Sequence, residues 1–283
     1  MRLRSLRAIV GVGLALFLAA FGPTVSASGS TPATATVVKP MCSKIVVFGV
    51  RGSRTNAQDT GMADSVVNRF FNQFRYAYTG QRVPPQSVIR MEMVRYPAVP
   101  VTNGVKAYGA NYMRSVDAGV RELAAIVRTL KATCPKSAYV ATGFSQGANV
   151  IGEFGRDYWR EGLLNNGLAF VLFGNPARNQ NVTEIELYKL PSGSHGILYS
   201  GLKAIGWPSP QDELTTPKGY SLLNTIDGCD PRDPVCSFKG DRQSYEDLAN
   251  CALFSCSHFD YVVNGWTGLA AERVTRLAKS HMN

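Results

Sequence analysis

The sequence predicts an α/β protein in which helices cover both faces of a central, mainly parallel sheet. Strand-like segments alternate with helix-like segments along the chain, and most strand-like segments are uniformly apolar. The pentapeptide Gly143–Gly147, with the sequence Gly-Phe-Ser-Gln-Gly, directly follows one of these apolar segments. This arrangement is typical of a sharp strand-to-helix turn that presents a serine above the sheet.

Strands and helices alternate in the hydrophobic pattern of the chain. The predicted strands are short apolar segments, most of which end at turn residues: 44–50, 88–94, 137–142, 168–173 and 221–226. The predicted helices carry apolar residues at helical spacing: 64–78, 105–131, 146–160 and 265–279. The serine of the pentapeptide, Ser145, therefore lies between the third strand and the third helix.

Polar residues follow three of the predicted strands directly. The segment Arg51–Ser53 follows the first strand, Ser145 follows the third, and Asn175 follows the fourth. In an open parallel sheet, ligands bind outside the carboxyl ends of the strands. We therefore expect these three segments to converge on one edge of the sheet.

The first 40 residues have the composition of an export signal followed by a linker. Residues 1–27 contain three arginines among the first seven residues, continue with an apolar segment and end in small residues. This is the pattern of a cleaved signal peptide. An uncleaved membrane anchor is the alternative, but the apolar segment is short for a spanning helix. Residues 28–40 predict a disordered lead-in, and residues 41–283 are long enough for one domain with a substantial core.

The charge of the chain argues against nucleic acid as a partner. The formal net charge is +10, and removal of the three arginines of the signal peptide leaves +7. These charges are spread along the chain, whereas a nucleic-acid-binding tract is clustered. We expect a secreted, extracellular monomer, either free or in peripheral contact with lipid or the cell envelope.

The cysteines predict disulfides and not a metal site. An even number of cysteines behind a signal peptide is typical of an oxidising compartment. A zinc site is disfavoured because the chain has only three histidines and no Cys-x-x-Cys pair. The sequence marks no metal, nucleotide or other cofactor site. The pairing remains open at this point for six residues: Cys42, Cys134, Cys229, Cys236, Cys251 and Cys256.

A nucleophilic serine needs a base, and one histidine fits that role. In α/β-hydrolases the catalytic residues follow in the chain order Ser, then Asp or Glu, then His. His195 precedes every suitable acidic loop, and His281 lies next to the C-terminus, where fraying is expected. His258 therefore remains as the base for Ser145.

The acid that orients the base is ambiguous from residue types alone. Asp227, Asp230 and Asp233 all lie in the short segment Asp227–Cys236, which also contains Cys229. A disulfide in this segment would rigidify whichever carboxylate serves, and base orientation needs such rigidity.

The chain resembles the cutinase family of secreted serine esterases. The matching segments occur in family order across most of the mature chain: Phe48–Ser53, Tyr96–Ala98, Cys134–Pro135, Gly143–Ala148, Phe173–Pro176, Cys229–Cys236 and His258–Tyr261. The resemblance implies an α/β-hydrolase fold, a three-layer sandwich around a mainly parallel five-stranded sheet without a large lid.

The resemblance also assigns roles to residues of the candidate site. It implies Ser145 as the nucleophile, Asp233 as the acid and His258 as the base. The oxyanion hole would use the backbone N–H groups of Ser53 and Gln146, assisted by the Ser53 hydroxyl. Such donors face the negative charge that develops on the carbonyl oxygen.

Two disulfides are implied by the resemblance, Cys42–Cys134 and Cys229–Cys236. Cys251 and Cys256 remain as a third pair, which we expect either to fix the loop before His258 or simply to stabilise the fold.

The segments 176–229 and 233–258 are longer than in compact fungal members of the family. The first contains apolar residues that either line an acyl pocket or belong to the core: Ile197, Leu198, Tyr199, Leu202, Ile205 and Trp207.

These observations predict a secreted carboxylic-ester hydrolase of the cutinase type. It would cleave short- to medium-chain acyl esters through an acyl-enzyme on Ser145, with no cofactor. Within the same class, the alternatives are an esterase or phospholipase for envelope lipids and a polysaccharide deacetylase. A catalytically idle relative that binds lipid is a further alternative from a different class, since function resides in the site and not in the fold.

Overall fold

A computed structural model describes most of the chain beyond its N-terminal segment. The described residues are 42–53, 64–99, 110–158, 161–178, 185–187, 190, 192–198, 224–253 and 256–282. The predicted signal peptide and lead-in lie outside them. Residues Pro40–Asn283 form one compact unit. No helix in the described ranges is long and apolar enough to cross a membrane.

A parallel sheet forms the centre of this unit. Its strands are β1 Ile45–Val50, β2 Ile89–Met93, β3 Ala138–Phe144, β4 Gly167–Phe173, β5 Ile185–Glu186 and β6 Asn224–Gly228. They lie in the order β2-β1-β3-β4-β6-β5, and every pairing is parallel. The five predicted strands are confirmed. The sixth, β5, has two residues and pairs with the edge of β6, so it is too short for the hydrophobic pattern to reveal.

The uniformly apolar strands are explained by burial on both faces. Every residue of β1 is buried, and its side chains alternate between two separate hydrophobic clusters. Val46, Phe48 and Val50 pack on one side, whereas Ile45 and Val47 pack on the other. Because successive side chains of a strand point to opposite faces, both layers require apolar residues.

In the part of the chain that the structure describes, five helices accompany the sheet: α1 Ser65–Thr79, α2 Ala110–Thr133, α3 Gln146–Tyr158, α4 Arg242–Leu253 and α5 Trp266–Met282. Short 3-10 turns occur at Leu163–Asn166 and Ser257–Phe259. Helices α2 and α3 contribute to the cluster on one face of the sheet, and α1 and α5 contribute to the cluster on the other. The result is the predicted three-layer sandwich.

The sequence did not predict α4. Most of its residues are exposed, and in the described part only Ser244 and Cys251 are buried. Without an apolar stripe, the helical period leaves no signal in the hydrophobic pattern. The predicted start of α2, at 105–109, lies outside the described residues.

Three disulfides cross-link the chain: Cys42–Cys134, Cys229–Cys236 and Cys251–Cys256. The first spans 92 residues and ties the start of β1 to the end of α2. A cross-link over a loop of this size removes about 4–5 kcal/mol of unfolded-state entropy in the chain-entropy model. The second bond closes a short loop that contains Asp233, and the third lies just before His258 in the chain.

Candidate active site

Ser145 occupies a strained turn between β3 and α3. Its φ is 53°, a left-handed conformation that few residues other than glycine adopt. The turn is held by hydrogen bonds on both sides. The Ser145 N–H donates to the Phe173 carbonyl at 2.8 Å, and the Ser145 carbonyl accepts from Ala148 N–H at 2.9 Å. The half-buried serine thus sits at the N-terminus of α3.

The glycines of the pentapeptide permit a close crossing of strand and helix. A Cβ atom at Gly143 would lie 2.5 Å from the carbonyl carbon of Gly147. A Cβ atom at Gly147 would overlap the carbonyl oxygen of Val50 at the end of β1. These two positions therefore exclude larger side chains, and the close approach brings the segment after β1 against the serine turn.

His258 and one aspartate form a buried pair. His258 Nδ1 lies 2.8 Å from Asp233 Oδ2, and the exposed fractions of these residues are 5% and 0%. Asp233 Oδ1 accepts the Val235 N–H at 2.8 Å, and Asp233 Oδ2 also accepts the Tyr261 O–H at 2.5 Å. A carboxylate held in this way fixes the imidazole with its other nitrogen free for a proton from the nucleophile.

The other two aspartates of the segment have different partners. Asp227 forms a buried ion pair with Arg178. Asp230 accepts hydrogen bonds from Arg232, including one to Oδ2 at 2.9 Å, and from Asn264 at 3.1 Å. Burial alone would raise the pKa of Asp230, but the hydrogen bonds from Arg232 outweigh it and hold that pKa below its usual value.

His258 lies beside the serine turn. Its ring packs against Phe144, the residue before Ser145, with ring centroids 4.7 Å apart. Gly174, with a φ of 60°, lies next to the His258 and Asp233 side chains, and a Cβ atom there would be 2.8 Å from His258 Cε1. No hydrogen bond joins Ser145 to His258, both of which the structure describes. Catalytic hydrogen bonds are often long without substrate and tighten when it binds.

Two candidate donors for a carbonyl oxygen lie near the serine. Gln146 begins α3, where backbone N–H groups have no partner within the helix. The Gln146 side chain is buried, and its Oε1 accepts the Ser115 O–H at 3.3 Å. The Ser53 hydroxyl oxygen is buried and has no hydrogen-bond partner among the described residues. A buried hydroxyl of this kind can serve a ligand oxygen.

Tyr261 is a member of the site that sequence reasoning did not single out. It belongs to the matching segment His258–Tyr261, but nothing in its residue type marked it as a partner of the acid. Burial raises the pKa of Tyr261 well above its ordinary value, and the neighbouring charge of Asp233 raises it further. Tyr261 therefore remains a neutral donor to the carboxylate.

The remaining sequence candidates lie elsewhere. His195 forms an isolated backbone bridge with Phe238, and His281 is exposed near the end of α5. Ile197 and Leu198 belong to the hydrophobic core, while Tyr199, Leu202, Ile205 and Trp207 lie outside the described residues. Within the ranges that the structure describes, no group of His, Cys, Asp or Glu side chains is arranged to hold a metal ion.

Comparisons with known proteins identify the family. A family model described as Cutinase matches residues 41–272. The carboxylesterase Culp1 of Mycobacterium tuberculosis is 28% identical over 269 residues, which cover 95% of this chain and 94% of that protein. The acetylxylan esterase of Hypocrea jecorina is 27% identical over 215 residues, which cover 74% of this chain but 64% of that protein.

A solved structure supports the same fold. A cutinase-like protein from Cryptococcus sp. has a TM-score of 0.54 to this chain at 16% identity, covering 85% of this chain and 97% of its own. The predicted cutinase-like α/β-hydrolase fold is confirmed by this likeness. Since the family model covers most of the sequence, the chain belongs to the cutinase family, a family of carboxylic-ester hydrolases.

Proposed function

We propose that this chain is a secreted serine esterase that hydrolyses short- to medium-chain acyl esters through an acyl-enzyme on Ser145. The observation that carries the proposal is the buried Asp233–His258 pair, which packs against the strained serine turn. Of the three aspartates in the segment, Asp233 is the one in contact with the histidine. The reaction needs no cofactor.

The first half of the reaction forms the acyl-enzyme. His258 takes the proton of the Ser145 hydroxyl as the oxygen attacks the ester carbonyl. The backbone N–H groups of Gln146 and Ser53, with the Ser53 hydroxyl, donate to the resulting oxyanion. Each such donor contributes roughly 2.7–4 kcal/mol to transition-state stabilisation. The alcohol then leaves with the proton from His258.

The second half repeats the same steps with water. His258 deprotonates a water molecule, which attacks the acyl carbonyl and regenerates Ser145. Asp233 keeps the imidazole in the required tautomer and stabilises it when it is charged. The hydrogen bond from Tyr261 and the Val235 N–H keep the carboxylate in place.

Exposed apolar residues beside the base support an acyl substrate. Phe259 directly follows His258, is 51% exposed and packs edge-on against the His258 ring at 5.3 Å. Val263, four residues further on, is 84% exposed. Together they offer apolar contact to a short or medium acyl chain at the protein surface.

A polysaccharide deacetylase is a second candidate. It is favoured by the relative from Hypocrea jecorina, whose name gives it as an acetylxylan esterase. The relative named as a carboxylesterase covers more of this chain and leaves lipid or other acyl esters as substrates. We propose that the enzyme acts outside the cell as a monomer, free or at the envelope surface.

A hydrolysis profile tests the proposal. The assay uses p-nitrophenyl esters from acetate to palmitate, with Ser145→Ala as the control that abolishes turnover. A maximum at short to medium chains supports the proposed substrate class. Activity confined to acetate favours the deacetylase, and a maximum at long chains favours a lipid esterase. Retention of activity in Ser145→Ala would remove Ser145 as the nucleophile.

A further inference from the structure

We propose that Asp64 and Tyr96 are positioning residues of the oxyanion hole, because together they hold the peptide group between Arg51 and Gly52. This inference rests on the proposed function, in which Ser53 supplies an oxyanion donor. Neither residue contacts the reacting atoms in this mechanism. Each acts through the backbone that carries Ser53.

Both polar atoms of one peptide group are bound by side chains. The Gly52 N–H donates to Asp64 Oδ2 at 2.8 Å. The carbonyl oxygen of Arg51 accepts a short hydrogen bond from the Tyr96 hydroxyl. Because the C=O and N–H of a trans peptide point in opposite directions, the two side chains restrain this peptide from opposite sides.

Asp64 connects the peptide to a helix. It is the N-cap residue of α1, and its Oδ1 accepts the Val67 N–H at 2.9 Å while its Oδ2 accepts the Gly52 N–H. One carboxylate therefore serves two donors. The helix is in turn anchored in the core by its buried face. Asp64 thus ties Gly52 to helix α1, a rigid element, and not to another loop.

Tyr96 supplies the second restraint from the segment that follows β2. Its side chain is buried, and the Arg51 guanidinium lies over its ring at 5.7 Å from the centroid. The same guanidinium donates back to the carbonyl oxygens of Tyr96 and Pro97. Burial raises the pKa of Tyr96 well above its ordinary value, although the neighbouring positive charge of Arg51 lowers it in part, so the phenol keeps the proton that it donates.

The restrained peptide adjoins the Gly52–Ser53 peptide, which carries the Ser53 N–H, so its position limits the directions that this N–H can take. Glycine has no Cβ atom to limit its φ and ψ, and Gly52 therefore depends on external contacts. It also packs tightly: a Cβ atom there would lie 2.9 Å from the Phe144 ring and 3.3 Å from Ser145 Cβ. A displacement of about 1 Å at such a site can cost about 100-fold in rate.

Substitutions can separate this role from helix capping. Asp64→Asn retains one oxygen for the cap of α1 but replaces the second acceptor with an amide donor. Tyr96→Phe removes only the hydroxyl and leaves the ring in place. We expect each variant to lower kcat by about 10- to 100-fold, with KM within about twofold of the parent, because a misdirected donor weakens transition-state binding.

Matched controls exist in the same chain. Asp241 caps α4 by accepting the Ser244 N–H at 2.8 Å, so Asp241→Asn alters a helix cap that has no link to the site. Tyr139 is fully buried and donates to the Leu163 carbonyl at 3.1 Å, so Tyr139→Phe removes a comparable core hydrogen bond. We expect both controls to keep kcat and KM while showing similar losses of thermal stability.

A double variant tests the shared peptide. If Asp64 and Tyr96 restrain the same group, the combined loss of kcat in Asp64→Asn with Tyr96→Phe is smaller than the product of the single losses. Strictly multiplicative losses, a kcat within about twofold of the parent in both single variants, or equal losses in the controls would each overturn the proposal. Tyr96→Phe decides the matter if Asp64→Asn fails to fold.

The parent enzyme separates this inference from the proposed function. Turnover by the parent, together with its loss in Ser145→Ala, establishes the serine esterase independently of Asp64 and Tyr96. Normal kinetics of the two variants would then refute the positioning role alone. An inactive parent that resists labelling by a fluorophosphonate probe would refute the proposed function, and the positioning role with it.

Discussion

The substitution Glu153→Gln should make the protein more stable at neutral and alkaline pH. Glu153 lies in α3, eight residues after Ser145, and is buried beside Arg156, with which it forms an ion pair. Burial raises the pKa of Glu153 from 4.5 to about 7, and the charge of Arg156 only partly offsets this rise. The folded protein therefore binds this proton more tightly than the unfolded chain does.

The sign and size of the effect follow from linkage. A carboxyl whose folded pKa is raised contributes stability that is fully present below its unfolded pKa and is lost as pH rises through the folded value. The window here runs from pH 4.5 to about 7. At about 1.4 kcal/mol per pKa unit, the stability that the protonated Glu153 contributes and that is lost over this window is on the order of 3 kcal/mol.

Denaturation by urea at a series of pH values measures this difference. Gln is a neutral isostere of the protonated side chain, so parent and variant should have similar free energies of unfolding at pH 4. As pH rises to about 7, the free energy of unfolding of the variant should increasingly exceed that of the parent. Above that pH the difference should stay constant. A parent that is equally stable or more stable at pH 8 would refute the reasoning, because the Arg156 ion pair would then outweigh burial.

Three further changes test the site. Asp233→Asn should lower kcat by about 10⁴ through the wrong imidazole tautomer, and the same loss in Asp230→Asn instead would reassign the acid. Tyr261→Phe should lower the free energy of unfolding, measured by urea denaturation, by about 1.5–3 kcal/mol, since it removes a hydrogen bond to a carboxylate. An unchanged free energy of unfolding would show that this hydrogen bond does not stabilise the fold. Joint replacement of Cys251 and Cys256 by Ser should cost about 2 kcal/mol, and unchanged stability would show the bond to be dispensable.

The sheet could be predicted because its strands are buried on both faces. Uniform burial demands uniformly apolar segments, and β1 and β3 show this pattern over their full lengths. The same reasoning explains why two of the described elements, α4 and β5, were not predicted from the sequence. Helix α4 buries little apolar surface, and β5 has only two residues, so neither imposes a period on the sequence.

The candidate acid could not be chosen from composition because the contacts of each aspartate depend on partners that are distant in sequence. Asp227 is paired with Arg178, which is 49 residues away, and Asp233 is bound by His258, which is 25 residues away. Each carboxylate therefore differs from its neighbours by the side chain that the fold brings against it. The family resemblance supplied Asp233, and the contacts of the folded chain give the physical reason why it differs from its neighbours.

The segment Phe173–Pro176 shows how a motif without reactive groups contributes to such a site. It matched the family pattern, yet it contains no acid, base or nucleophile. In the structure, the Phe173 carbonyl accepts the Ser145 N–H, and Gly174 lies so close to the Asp233–His258 pair that a Cβ atom would be 3.1 Å from Asp233 Oδ2. The end of β4 therefore holds the serine turn on one side and leaves room for His258 and Asp233 on the other, which requires glycine at this point.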